Sequence, residues 1–200
     1  MTIGKKSILL ILLIIILDQA LKIWIKTNMV LGQEYHILGN WFIIHFIENN
    51  GMAFGMEIAG KFGKIILSLF RIAAVVGIGW YLVYLIKQKA STGLIITISV
   101  IMAGALGNII DSAFYGMIFS NSYYHVASMF PAEGGYSSFL HGQVVDMFYF
   151  PVLKGTFPDW IPFRGSDSFI FFRPVFNIAD SSITIGVTLI LIFQKRFFNK

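Results

Sequence analysis

The chain reads as a mainly α-helical membrane protein, with four transmembrane helices, a small extracytoplasmic β-rich cradle and a short interfacial helix. Three observations predict this class. Of its 200 residues, 56% are hydrophobic and only 12% charged, about half the charged share of an ordinary soluble domain. Four stretches are apolar over the roughly 20 residues needed to cross a hydrocarbon core about 30 Å thick. If those stretches alternate in direction, Lys5, Lys6, Lys87, Lys89, Lys195, Arg196 and Lys200 all fall on one side, which makes that side the cytoplasm.

The first span is expected over about 7–26. Its charged flank and the apolar run from Ser7 to Leu17 have the look of a signal peptide, but no small-residue processing site follows. The helical pattern instead continues through Asp18 and Lys22 to Trp24 and Ile25, so the segment is expected to be retained as a helix. In the outer segment at about 27–64, Trp41 to Ile47 (WFIIHFI) is rich in strand formers and precedes a Gly-punctuated stretch, which predicts a short surface sheet and then a brief helix. The second and third spans, about 65–86 and 94–113, are separated only by Lys87 to Gly93 and are expected to form an antiparallel hairpin. A long second outer segment, about 114–176, is rich in Gly, Ser, Pro and aromatics, and a fourth span at about 177–194 closes against Lys195 and Arg196. No internal repeat or low-complexity linker divides the chain. Residues 1–200 are expected to form one integral membrane domain.

The chain has no cysteine, which removes disulfides, thiolate nucleophiles and cysteine metal sites. A formal charge of +5 without a Lys/Arg block gives no nucleic-acid footprint. His36, His45, His125 and His141 lack the spacing of a helical zinc motif, and Ser181 and Ser182 have neither a nearby histidine nor a G-x-S-x-G turn. The expectation is a site with no metal and no cofactor.

The ionisable residues inside the apolar spans carry most of the functional signal, because each costs about 2.5–3.5 kcal/mol to insert and needs a partner or a purpose. Asp18, Asp111 and Asp180 come from three different spans, yet the alternating topology brings all three to one depth near the outer face. Asp18 and Lys22 stand at i and i+4 in the favourable order; this is either a structural ion pair or an acid beside a lysine that snorkels to the interface. Gly104, Gly107, Asn108 and Asp111 trace one helix stripe, a pattern that serves close helix packing as well as a site. Asn177 and Asp180 share a face at the start of the last span, where acids also serve as caps. Asp146 follows the short Val144-Val145 stretch in the second outer segment. Two carboxylates that meet cannot both ionise easily, so one holds a proton while the other is a base, and the pair can activate water without a metal. A small transporter or channel also places acids in the membrane, but predicts pseudo-symmetric halves or broken helices. A purely structural subunit would give Asp146 and Asp180 no reason to converge.

Four runs, in this order, resemble the lipoprotein signal peptidases (signal peptidase II): Asn49-Asn50-Gly51-Met52-Ala53-Phe54, Gly104 to Asp111 (GALGNIID), Val144-Val145-Asp146, and Phe176-Asn177-Ile178-Ala179-Asp180. The resemblance covers nearly the whole chain. It implies an aspartic endopeptidase of the bacterial inner membrane, with both termini cytoplasmic and its site near the outer face. It also implies that Asp146 and Asp180 are the catalytic pair, and that Asn49, Asn108 and Asn177 line the site with Gly51, Gly104, Gly107 and Ala179 in the same motifs. Asp18, Lys22 and Asp111 take supporting roles. The implied substrate is a diacylglyceryl-modified prolipoprotein, cut on the N-terminal side of its lipid-modified cysteine, by a protein expected to act as a monomer in contact with membrane lipid. The sequence departs from the family pattern in three places. Ser112 follows Asp111 where Arg is common, Glu48 stands where Arg usually precedes the N-x-G motif, and about 117–141, with Tyr123, Tyr124, Met129, Phe130 and Tyr136, has the character of an insertion. Arg164 or Arg173 is the expected substitute cation.

Overall fold

The computed structural model describes residues 1–50, 60–151, 153–156, 160, 168–171 and 174–198. Gly51, the brief helix expected after Phe54, and Arg164 and Arg173 lie outside them. Helix α1 spans Ile3–Asn28, α2 Gly60–Lys87, α3 Thr92–Ile110 and α4 Ile178–Phe198. All four are long and apolar enough to cross a membrane; α1 and α2 run past both ends of the spans expected for them, and α4 past its C-terminal end. The third span departs most: α3 widens into a π-helical turn at Asp111–Tyr115 and then a short α-turn at Gly116–Ile118.

The burial of α1 is the reverse of a soluble amphipathic helix. Ile8, Leu9, Leu12, Leu13 and Ile16 are exposed, whereas Ser7, Asp18, Lys22 and Lys26 are buried. Lipid solvates the leucine face, so the polar face must find partners inside the protein. Lys22 is fully buried and does not snorkel. Half of the third span is buried against 17% of each of the others, which makes α3 the helix around which the rest pack. The contact between α3 and α4 depends on small residues: a Cβ on Gly104 would collide with the Ala179 carbonyl oxygen, and one on Gly107 would come within 2.8 Å of Asp18 Oδ2 and 3.1 Å of Ala179 Cβ.

At the end of the bundle where α1 finishes and α4 begins sits a four-stranded antiparallel sheet. Its strands β1 (Glu34–Leu38), β2 (Phe42–Asn49), β3 (Val144–Tyr149) and β6 (Val175–Phe176) lie in the order β1-β2-β3-β6. Strands β4 (Leu153–Thr156) and β5 (Ser168–Phe171) form a separate antiparallel ribbon. Asp146 therefore lies inside a buried strand, not on the outer loop that its sequence context suggests. Register places it: Ile47 pairs with Asp146 and Asn49 with Val144 on one side, while Phe148 pairs with Phe176 on the other. Because β6 runs straight into Asn177 and α4, that pairing brings Asp146 to the mouth of the last helix. Ile25, Met29, Phe46, Tyr115, Phe119, Val145 and Met147 form the apolar core joining the sheet to the helix ends.

The segment at about 117–141 folds back on the end of the third span. Ser120 N donates to Ser128 O, Phe130 N to Ile118 O and Tyr136 N to Phe119 O. Phe119 and Ser122, within the segment, are fully buried.

Candidate active site

Lys22 is the hub of the polar interior. Its Nζ lies 2.8 Å from both Asp18 Oδ2 and Asp111 Oδ2, and it donates to Asn108 Oδ1 at 3.0 Å. The i, i+4 pair read from the sequence is thus one edge of a larger cluster. Asp18 also accepts from the Ala179 N–H at 2.9 Å, one of the donors that the first turn of a helix leaves unpaired. Gln19 donates to Asp111 Oδ1 at 2.8 Å and accepts from the Tyr115 hydroxyl at 3.2 Å. Asp111 Oδ2 accepts from Val145 N at 3.3 Å, which ties the end of α3 to β3 one residue before Asp146.

Asn177 and Asp180 cap α4 reciprocally. Asn177 Oδ1 accepts from Asp180 N at 2.8 Å, and Asp180 Oδ2 accepts from Asn177 N at 3.4 Å, so the capping alternative is realised with Asn177 as the cap. The same side chains do more. Asn177 Nδ2 donates to Asp146 Oδ1 at 2.7 Å, with the Val145 carbonyl and Asn108 Oδ1 each at 3.2 Å. Asn108 Nδ2 donates to Asp180 Oδ1 at 2.7 Å, and Asn49 Nδ2 donates to Asp146 Oδ2 at 3.3 Å. The carboxylates of Asp146 and Asp180, from a strand and a helix, are therefore held by two carboxamides, those of Asn177 and Asn108, which bond to each other. Burial, and then the charge of Asp180, push the Asp146 carboxyl up to about 7 against the pull of Asn49, Lys22 and Asn177.

Of the residues singled out by sequence, Asp18, Lys22, Asn49, Gly104, Gly107, Asn108, Asp111, Asp146, Asn177, Ala179 and Asp180 all gather here. Gly51 lies outside the described residues. Among those residues, no group of three His, Asp or Glu side chains is spaced to hold a metal ion.

Several members of the site carry no motif. Gln19 sits beside Asp18 in plain view. Lys26 is fully buried; its Nζ pairs with Glu48, donates to Ser122 Oγ at 2.8 Å, and lies 4.9 Å from the Tyr136 ring centroid. Helix α2 contributes Lys64, Ser68 and Arg71, which donate to Asn50 Oδ1 at 3.0 Å, the Leu140 carbonyl at 3.2 Å and Ser112 Oγ at 3.3 Å. Their offsets of 0, 4 and 7 make a helix stripe of the kind found in α3.

Fold and site together define a polytopic membrane protein with a buried network of carboxylates and carboxamides under a small sheet. The profile of the family described as signal peptidase (SPase) II matches residues 10–196. A lipoprotein signal peptidase of Porphyromonas gingivalis is 50% identical over 194 residues, covering 96% of this chain and 84% of the relative. One of Amoebophilus asiaticus is 39% identical over 187 residues, covering 92% and 75%. Two bacterial membrane enzyme structures solved in meso, at 2.3 and 1.9 Å resolution, superpose with TM-scores of 0.63 and 0.61 at 28% and 31% identity. The first alignment covers 98% of this chain and 92% of that structure; the second covers 95% and 92%. The chain belongs to the signal peptidase II family and is a bacterial membrane peptidase.

Proposed function

We propose that the protein is an aspartic endopeptidase that removes the signal peptide from diacylglyceryl-modified prolipoproteins, with Asp146 and Asp180 as its catalytic pair. The observation that carries this reading is the Asn177 side chain, bonded to Asp146 at 2.7 Å while its own carbonyl and backbone N–H engage Asp180 and its helix turn. Asp146, pushed up to about 7, is suited to hold the proton the pair shares, leaving Asp180 to accept one from water. Water attacks the scissile carbonyl carbon as its proton passes to Asp180. Asp146 gives its proton to the carbonyl oxygen; on collapse of the tetrahedral intermediate Asp180 passes the proton it took from water to the leaving nitrogen as the C–N bond breaks, and Asp146 recovers a proton from the intermediate's hydroxyl, which restores the pair. The new N-terminus is the lipid-modified cysteine. Asn49, Asn108 and Asn177 orient the pair as neutral amides, while Asp18, Lys22 and Asp111 hold the helices that carry them. Gly51 belongs to the same site through the Asn49 motif.

The whole chain acts as one membrane domain and as a monomer, in the bacterial inner membrane and in contact with its lipid. Lys5, Lys6, Lys87, Lys89, Lys195 and Arg196 lie at or beyond the helix ends opposite the sheet. Cations on that side support cytoplasmic termini and a site near the outer face.

The test is a gel-shift assay of detergent-purified protein on a diacylglyceryl-modified prolipoprotein, with and without a chelator. Asp146→Asn and Asp180→Asn are each expected to bind substrate yet lose at least about 10³-fold in turnover, with the parent indifferent to chelator. Turnover retained by either variant would overturn the assignment.

A further inference from the structure

We propose that Arg71 is a positioning residue for the reaction: its guanidinium, entering from α2 where Ser112 leaves room at the end of α3, offsets the negative charge of the Asp146–Asp180 pair. The inference rests on the aspartic reading above. Helix α2 is otherwise a lipid-facing helix, with Ile66, Leu69, Phe70, Val76 and Trp80 exposed. An arginine well inside such a span is costly and needs a purpose. Its place on the Lys64–Ser68–Arg71 stripe turns it towards the site, and its Nη1 donates to Ser112 Oγ at 3.3 Å, the residue next to Asp111.

Charge explains why a cation is wanted there. Lys22 is divided between Asp18 and Asp111 at 2.8 Å each, and Lys26 is paired with Glu48. If those groups are ionised, the first cluster keeps one surplus negative charge. The catalytic pair, holding one proton, adds another. The carboxylates whose charge acts on Arg71 across the packed elements are Asp180 on α4, then Asp111 at the end of α3 and Asp146 on β3. Its own helix adds Lys64, and Lys22 on α1 also acts on Asp146. Arg71 is thus a cation on α2 whose charge reaches both members of the pair. Arg71 thereby takes, from a neighbouring helix, the part of the cation that the family commonly places directly after Asp111.

The test is kcat/KM against pH, from about 5 to 9, for the parent, Arg71→Lys, Arg71→Gln and Ser112→Ala, each checked for folding by thermal unfolding. Without the cation the ionised form of the pair is harder to reach. Arg71→Gln is therefore expected to move the acidic limb up by about one pH unit and to lower kcat/KM on that limb about tenfold, in kcat more than KM. Arg71→Lys keeps the charge and is expected to keep the parent's limb. Ser112→Ala removes the bond that places the guanidinium and is expected to move the limb less, in the same direction. Parental pH profiles in both Arg71→Gln and Ser112→Ala would overturn the proposal, as would a rate loss in Arg71→Gln that is equal at every pH. If Arg71→Gln does not fold, a parental limb in Ser112→Ala together with a displaced one in Arg71→Lys overturns it, and the opposite pattern supports it. An inactive Asp146→Asn beside a parental Arg71→Gln profile would leave the aspartic reading standing and remove only Arg71.

Discussion

At the scale of single residues, Asn177 shows why the site uses amides between acids. Its carboxamide donates towards Asp146 and Val145 and accepts from the Asp180 N–H, and only a group with both donors and an acceptor does this without adding charge. Asn177→Asp would retain the acceptor, lose the donors and bring a third carboxylate to the pair. Cleavage is expected to fall by at least about 10²-fold, while the cap, which an aspartate also makes, keeps α4 formed; a variant cleaving at the parent's rate would contradict this. Asp146 makes a second residue-scale prediction through its protonation. Its carboxyl is raised from 3.8 to about 7, so the folded state binds that proton more tightly than the unfolded chain. The stability linked to it is complete below about pH 4 and is lost as pH rises through about 7. Asp146→Asn, neutral at every pH, is expected to match the parent below about pH 4 and to be the more stable of the two near pH 9, unfolding at a higher temperature, by at most about 4 kcal/mol. A difference in melting temperature that does not change with pH would show that Asp146 is not titrating in this range.

At the scale of elements, the α3–α4 contact decides whether Asn108 and Asp180 meet. Gly104 faces the Ala179 backbone so closely that any side chain must push α4 away, and the Asn108–Asp180 bond at 2.7 Å lies one helical turn further along. Gly104→Val is expected to cost about 1–3 kcal/mol by overpacking and to lower cleavage beyond the loss of folded protein; purified, folded variant with the parent's kcat would place the two effects on separate contacts. The α3 stripe was legible in the sequence because Gly104, Gly107, Asn108 and Asp111 all fall within one expected span. The α2 stripe was not, because a span beginning at about residue 65 assigns Lys64 to the outer segment and leaves Arg71 as a lone cation among apolar residues. The helix in fact begins at Gly60. An arginine inside a span was itself a signal, and pairing it with Ser68 and Lys64 would have pointed α2 at the site. Asp146 was harder to place. Its strand is fixed by pairing with β2 and β6, about a hundred residues before it and thirty after it in the chain, and no local pattern encodes that register.

At the scale of the whole molecule, the segment at about 117–141 is fastened to the bundle by a second buried ion pair. Lys26 on α1 and Glu48 on β2, with side chains 0% and 3% exposed, pair beneath Ser122, which donates to Glu48 Oε1 at 3.0 Å and accepts from Lys26. Three parts of the chain meet in that one cluster, and Glu48 immediately precedes Asn49, the donor to Asp146. The glutamate at the position of the family's usual arginine thus has a local partner in Lys26. A buried pair is expensive to break from one side, since the surviving charge is left without compensation, whereas removing both partners in favour of apolar side chains is often nearly neutral. Lys26→Met and Glu48→Met alone are each expected to cost about 3–5 kcal/mol, and the double variant much less than their sum. Thermal unfolding of the four proteins measures the coupling, and cleavage assays on the same samples show whether it reaches the site. Near-additive losses would mean that the segment is held by the apolar contacts its Phe119 and Tyr136 make with the core, not by the ion pair. Strong coupling, with cleavage restored in the double variant, would show that the pair sets the position of β2, and through Asn49 that of Asp146, by excluding alternatives in which either charge lies buried alone.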